Sequence, residues 1–371
     1  MSTLIHKRLK DALEVGHVLE KDQRSEQYMR RSLEINHHKD YHVGDENGVF
    51  SIALNHDGSH AAIGLGSGSF ALYNSQNEEW KKIRRVRTDP TVSLPLLAMK
   101  FYPCKAHNAI YTGGSDGTIK VFNLDTFSHS ERTVVEKNNQ ITSLDFSNDG
   151  LYFATGGKDC SLRVYHTDNL NLSRLYSGAD ELDLEGSGHD LSIASGHSKK
   201  IFVIKFHPED RNVFLSASWD RTVKIWDLRT EYAVRTINGP YVCGDGVDLF
   251  QGKIVSASWK AQDALQLWDY GSGKLISTLN WPTTNRRGEY LYCARFWDNS
   301  HVVAGGSGTN DLKMINITSN EVAGEISGDG HPVQAVEVLE QKNMLICGTS
   351  VNTLKTAIIT DDDAEADVLL Y

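Results

Sequence analysis

Along most of the chain, apolar and polar residues alternate in short runs that stop at glycine, asparagine or aspartate. That is the period of half-buried β-strands. One grouping recurs: an apolar alternating strand, a turn, a second strand ending in small residues, a tight turn, and a third strand ending in an aromatic. The most complete copy is IFVIKFHPEDRNVFLSASWDRTVKIWDLR, Ile201 to Arg229. Further copies begin at Val49, Leu97, Ile141, Val247, Tyr292 and Val333. Aligned on the end of the third strand they give Tyr73, Phe122, Tyr165, Trp226, Trp268, Ile315 and Ile358, spaced 49, 43, 61, 42, 47 and 43 residues apart. Seven units of this period, with four short strands each, predict a β-propeller.

Two units end in a literal Trp-Asp pair, Trp226-Asp227 and Trp268-Asp269. From about residue 45 to 360 the chain resembles the WD40 repeat family. The resemblance implies an all-β, seven-bladed WD40 β-propeller, here with an N-terminal α-helical extension. It also implies a hydrogen-bonded tetrad in blade 4, made of His197, Ser216, Asp220 and Trp226. Blades 2 and 3 keep Asp116 and Asp159 six residues ahead of Phe122 and Tyr165 but have no Gly-His before the first strand. Blade 7 keeps Gly330-His331 but carries Asn352 and Ile358. Uneven blade stability is the expectation.

Three regions lie outside the repeat. Residues 1–44 read as a helical extension, because Ile5, Leu9, Ala12, Gly16 and Leu19 follow a 4-3-4-3 spacing. Such a short seam packs either on the propeller flank or on a partner helix for residues 5–19. Within it, RSLEINHH (31–38) is one candidate for the outer strand closing blade 7, and the C-terminal ADVLLY is the other. Residues 177–195 form an insertion in the 45–360 propeller, with Asp180, Glu181, Asp183 and Glu185, and 361–371 form an acidic tail.

Composition narrows the function. The chain has 371 residues, 40 % of them hydrophobic, enough for a real core, and a net charge of −10 that makes nucleic acid and membrane surfaces unexpected partners. The basic run Lys81 to Arg87 falls where blade 1's outermost strand is expected, and charge there guards an exposed edge. No stretch approaches the roughly 20 apolar residues of a membrane helix, and the charged start MSTLIHKRLKDALE does not read as a secretory signal. A cytoplasmic protein is expected, cytoskeletal or ciliary association being compatible and the nucleus not ruled out. The five cysteines show no CxxC or Cys/His spacing, so reduced thiols without a metal are expected. Nucleotide-binding, hydrolase and metalloprotease motifs are missing, which predicts neither catalytic residues nor a cofactor.

In a propeller the turn between second and third strands shares a face with the entry to the first strand. The residue just before that turn's Asp therefore points at whatever sits there. In blades 2 to 5 it is Ser115, Lys158, Trp219 and Trp259, and Arg221 and Lys260 extend a cationic rim. Exposed Trp is enriched in interface hot spots. The reading is a non-catalytic protein-interaction scaffold within a multiprotein complex, possible settings including a cytoskeletal or ciliary assembly, with acidic or phosphorylated protein segments as partners. The alternative comes from Trp226-Asp227-Leu228-Arg229, similar to the WDxR box of substrate receptors for cullin-RING ubiquitin ligases, in which Arg229 would contact the ligase adaptor.

Overall fold

The computed structural model describes residues 33–361, apart from 77–78, 89–93, 105–107, 127, 130–132, 179–195, 284–287 and 340–341. The helical expectation for 5–19, the charged part of the insertion and the tail from 362 onward fall outside the described residues. The described residues form seven separate antiparallel sheets, six of them four-stranded and one with its outer strand in two pieces. Each sheet is one blade of a ring, numbered here in chain order.

Blade 4 shows how the pattern becomes structure. Its strands, from the inside out, are Ile201–Phe206, Val213–Ser218, Thr222–Asp227 and Arg235–Asn238. The second strand is covered on both faces by neighbouring blades, so all six residues are buried and it reads as VFLSAS rather than as an alternation. The outermost strand of blade 3, Leu172–Tyr176, has four of its five residues exposed.

Neighbouring blades meet through small residues. A Cβ on Gly156 of blade 3 would lie 2.9 Å from Ile201 of blade 4, and one on Gly305 of blade 6 would lie 2.7 Å from Val333 of blade 7. Gly113 and Ile141, and Gly348 and Val49, meet in the same way. In these four blades a glycine at or next to the end of the second strand thus makes room for the first residue of the next blade's inner strand.

Blade 7 is closed by the N-terminal segment: Leu33–His42 runs antiparallel to Thr353–Asp361. Residues 33–42 are therefore strand, which shortens the helical region expected to reach residue 44. Ile35 of this strand rests on Gly324 in the outer strand of blade 6. The ladder also shifts blade 7 by one position. Leu345 pairs with Ala357 where Phe214 pairs with Trp226, so Ala357, not Ile358, holds the buried third-strand position. Burial of one face sets that register, because a slip of one residue reverses every side chain. In blade 2 the outer strand splits into Ser128–His129 and Val134–Val135, both paired to Thr118–Asn123. The basic run lies on Glu79–Arg87, the exposed outer strand of blade 1, where the Lys82 and Arg85 side chains donate to the carbonyls of Val43 and Gly44.

Candidate interaction face and channel

In blade 4 a buried relay ties the loop before the first strand to the next two strands. Trp226 Nε1 donates to Ser216 Oγ at 2.7 Å, Ser216 Oγ lies 2.6 Å from His197 Nε2, and His197 Nδ1 lies 2.7 Å from Asp220 Oδ2. A neutral imidazole carrying its proton on Nδ1 satisfies every group in this chain. Burial accordingly holds the His197 pKa below its ordinary value of 6.5. Burial pushes Asp220 the other way, but hydrogen bonds from His197 and Thr222 hold it at about 2.

Blade 5 retains one link, Trp268 Nε1 to Ser256 Oγ at 2.9 Å. Blade 3 has no histidine ahead of its first strand and uses Glu136 there instead, a residue not singled out from the sequence. Its carboxylate accepts from Tyr165 at 2.9 Å, Thr155 at 2.5 Å and Asn139 at 2.6 Å, and Arg163 lies 3.4 Å away. Glu136 is five residues before Ile141, close to the four that separate His197 from Ile201, and that spacing was the available signal.

The second-to-third strand turn of blade 4 sits beside the entry to its first strand, Trp219 N donating to Lys200 O at 3.1 Å. The Trp219 ring packs 5.0 Å from Phe202 and stacks 6.5 Å from Tyr241. Tyr241 reaches the next blade as well, since its carbonyl accepts the Trp259 N–H at 2.8 Å. Trp259 packs 5.1 Å from Tyr290. Both tryptophans are anchored by aromatic neighbours yet remain 36 % and 41 % exposed. Arg221 stands over Tyr241 at 5.7 Å, and Lys200 over Phe202 at 5.1 Å. Burial, then the nearby Arg221, lowers the Lys260 pKa; burial, with Lys158 beside it, lowers that of Lys200. Such like-charge crowding marks a positive sector on an acidic protein. Asp220 and Asp159 on this sector are engaged by His197 and Arg163, and Asp263 lies near Lys260.

The fold thus brings Trp219, Trp259, Arg221 and Lys260 together through Tyr241, and sets Lys158 beside Lys200. Ser115 is not part of the cluster; its hydroxyl donates to Pro95 O in blade 2's own entry loop. Arg229 follows the far end of a six-residue strand, about 20 Å from Trp219. It is bound to Asp227 through Nε at 2.7 Å and Nη2 at 2.5 Å.

The channel carries a second feature, which the repeat pattern does not announce. By strand register, Ala53, Lys100, Asp145, Lys205, Asp248, Arg295 and Glu337 occupy one level of the seven first strands. Around blades 2 to 7 the charge alternates in sign. Lys100 lies 3.2 Å from Glu337, Arg295 3.0 Å from Glu337 and Lys205 3.7 Å from Asp248. Asp145 and Asp248 also accept the next blade's backbone N–H, from Phe206 at 2.7 Å and Phe296 at 3.0 Å. The signal was the charged residue just before a closing Phe in MKF, LDF, IKF and ARF. Among the described residues no group of three or more His, Cys, Asp or Glu is placed to hold a metal ion.

Seven radial antiparallel blades, with Trp-Ser links in blades 4 and 5 and a His-Asp link in blade 4, define an interaction propeller. The chain is a WD40 repeat protein, a fold that generally serves as a non-catalytic scaffold binding other proteins. The model of the WD domain, G-beta repeat matches residues 129–166 and 188–227, which end on the third strands of blades 3 and 4. Protein tipD of Dictyostelium discoideum is 29 % identical over 220 residues, 58 % of this chain and 32 % of that protein. Nuclear distribution protein nudF of Aspergillus niger is 26 % identical over 179 residues, 40 % of each chain. Cell division cycle 20.1, cofactor of APC complex, of Arabidopsis thaliana is 24 % identical over 279 residues, 74 % of this chain and 56 % of that protein. The chain spans between about a third and a little over half the length of these relatives.

Proposed function

We propose that this chain is a non-catalytic scaffold subunit that holds an acidic segment of a partner protein on the entry face of blades 3 to 5. The observation that carries this reading is the pair Trp219 and Trp259, clamped in place and still over a third exposed, amid Lys158, Lys200, Arg221 and Lys260 on a chain of net charge −10. Pre-ordered aromatic side chains lose little entropy on binding, and the local reversal of sign selects acidic partners. A cytoplasmic assembly, cytoskeletal or ciliary, is the proposed setting. Pull-down with the Trp219→Ala/Trp259→Ala chain is expected to lose partners that the wild type retains, with an unchanged far-UV circular dichroism spectrum. An unchanged partner profile would move the binding site elsewhere.

A second reading rests on Arg229, whose side chain is 64 % exposed at the opposite end of blade 4 while Asp227 fixes its orientation. As a ligase substrate receptor, the chain would co-purify with a cullin-RING adaptor and lose it on Arg229→Ala. Retained adaptor binding sinks that reading.

A further inference from the structure

On the face away from Trp219, where first strands turn into second strands, blades 2 and 3 enclose a cavity of about 600 Å3. Tyr102 and Ala109 reach it from that turn in blade 2, Gly150 to Tyr152 from the same turn in blade 3, and His166 to Asp168 from the end of blade 3's third strand, Leu162–His166. The wall is largely aromatic, and packing fixes its rings. Tyr111 meets Phe146 edge-on at 4.9 Å and Phe153 at 5.4 Å, Tyr102 meets Phe146 edge-on at 5.8 Å, and Tyr152 lies 5.0 Å from His166. Two polar groups here are unmet among the described residues. Thr167 is only 9 % exposed, and its hydroxyl has no hydrogen-bond partner. The exposed Asp168 carboxylate has neither an ion-pair nor a hydrogen-bond partner. The Tyr111 hydroxyl donates its proton to Thr167 O at 3.3 Å, so what it still offers is lone pairs. Burial, then the Tyr102 hydroxyl and the Asp168 charge, push the Tyr111 pKa to about 12, which keeps that proton in place. Among the described residues no lysine or arginine lines the cavity. Unmet acceptors, a negative charge and aromatic rings together select a cation. A planar guanidinium, weakly hydrated and carrying five donors, meets spread acceptors beside rings better than a compact ammonium does.

We propose that this cavity receives an arginine side chain of a second partner protein, whose guanidinium donates to Asp168 and to the Thr167 hydroxyl against the tyrosine rings. The volume lies within the roughly 300–1,000 Å3 of ligand pockets and leaves room for backbone on either side of that arginine. The chain then presents two faces of opposite sign, one at blades 3 to 5 for an acidic segment and this one for a basic segment, which suits a scaffold that joins two different partners. The proposal goes beyond the tryptophan face and does not depend on it.

The test is fluorescence anisotropy of a fluorescein-labelled peptide, Gly-Ser-Arg-Ser-Gly, on the full chain, with versions carrying lysine or the uncharged citrulline in place of arginine. Asp168→Asn is expected to weaken binding of the arginine peptide roughly tenfold or more, in line with hydrogen bonds to a charged group. Thr167→Val is expected to weaken it roughly threefold with Tm unchanged or higher, because the hydroxyl it removes is unpaired in the folded chain. Trp219→Ala/Trp259→Ala should bind the peptide as the wild type does. Failure of the wild type to bind the arginine peptide at millimolar concentration overturns the proposal, as does equal binding of the citrulline peptide or wild-type affinity in both Asp168→Asn and Thr167→Val. Equal affinity for the lysine peptide overturns the choice of arginine. None of these results bears on the tryptophan face, which the partner pull-down tests separately.

Discussion

Lys100 and Glu337, 237 positions apart in the chain, meet at 3.2 Å across the one blade whose residue at that level of the channel is the uncharged Ala53. Seven is odd, so a ring of alternating charges cannot close without two like charges meeting. Ala53 removes that conflict and lets blade 7 neutralise blade 2.

Glu337 serves both Lys100 and Arg295, so Glu337→Ala leaves two buried cations short of a partner. A loss of about 3–5 kcal/mol is expected in urea unfolding, as for other broken buried pairs. Lys100→Met/Glu337→Leu should cost clearly less than the sum of the single changes. Additive costs would show that the two residues do not act as a pair.

His197 gives blade 4 a pH dependence whose sign follows from its lowered pKa. The unfolded chain takes up a proton near pH 6.5 and the folded chain only below that, so stability falls as pH drops through and below 6.5. Asp220 acts at lower pH: its contribution is full above its ordinary 3.8 and is lost as pH falls through about 2. His197→Gln should lower Tm at pH 8, by the equivalent of about 1–3 kcal/mol, and flatten the slope of Tm between pH 7.5 and 5.5. A wild-type slope in that variant would assign the dependence to other groups.

Glu136 accepts from three side chains in blade 3, so Glu136→Ala should cost about 2–4 kcal/mol by leaving buried donors unmatched. Burial already raises its pKa, and a neutral acceptor of the same shape is therefore tolerated better. Thermal unfolding should rank wild type above Glu136→Gln above Glu136→Ala. Equal losses in the two variants would point to charge rather than acceptor geometry.

Ile35 in the closing strand rests where a side chain on Gly324 would have to go, at 2.8 Å from its Cγ1. Gly324→Val is expected to destabilise the chain by about 1–3 kcal/mol through overpacking. Hydrogen exchange should accelerate selectively at 33–42, with amides of blade 4 unchanged. Uniform acceleration would mean that the ring opens as a single unit.

The number of blades and the order of strands were legible because each unit repeats its own alternation, and Trp226 and Trp268 mark two third-strand ends. Blade 7 was legible only to within one position: without an aromatic, Ile358 and Ala357 look equally suitable, and the ladder with Leu345 decides between them. Of the candidate face, Trp219, Trp259, Arg221 and Lys260 could be named from their turns. Tyr241, which joins them, lies between units and carries no repeat signal.

The sequence by itself determined the local facts: where strands start and stop, which side of each is apolar, and which turns carry tryptophan or a charge. Those follow from residue spacing along the chain. Tertiary structure decided what depends on closing the ring: that residues 33–42 complete blade 7, that Glu136 stands in for histidine, and that six charges from six blades share one level of the channel. These relationships join residues far apart in sequence, and only the ladder registers and the contact between neighbouring blades bring them within hydrogen-bonding distance.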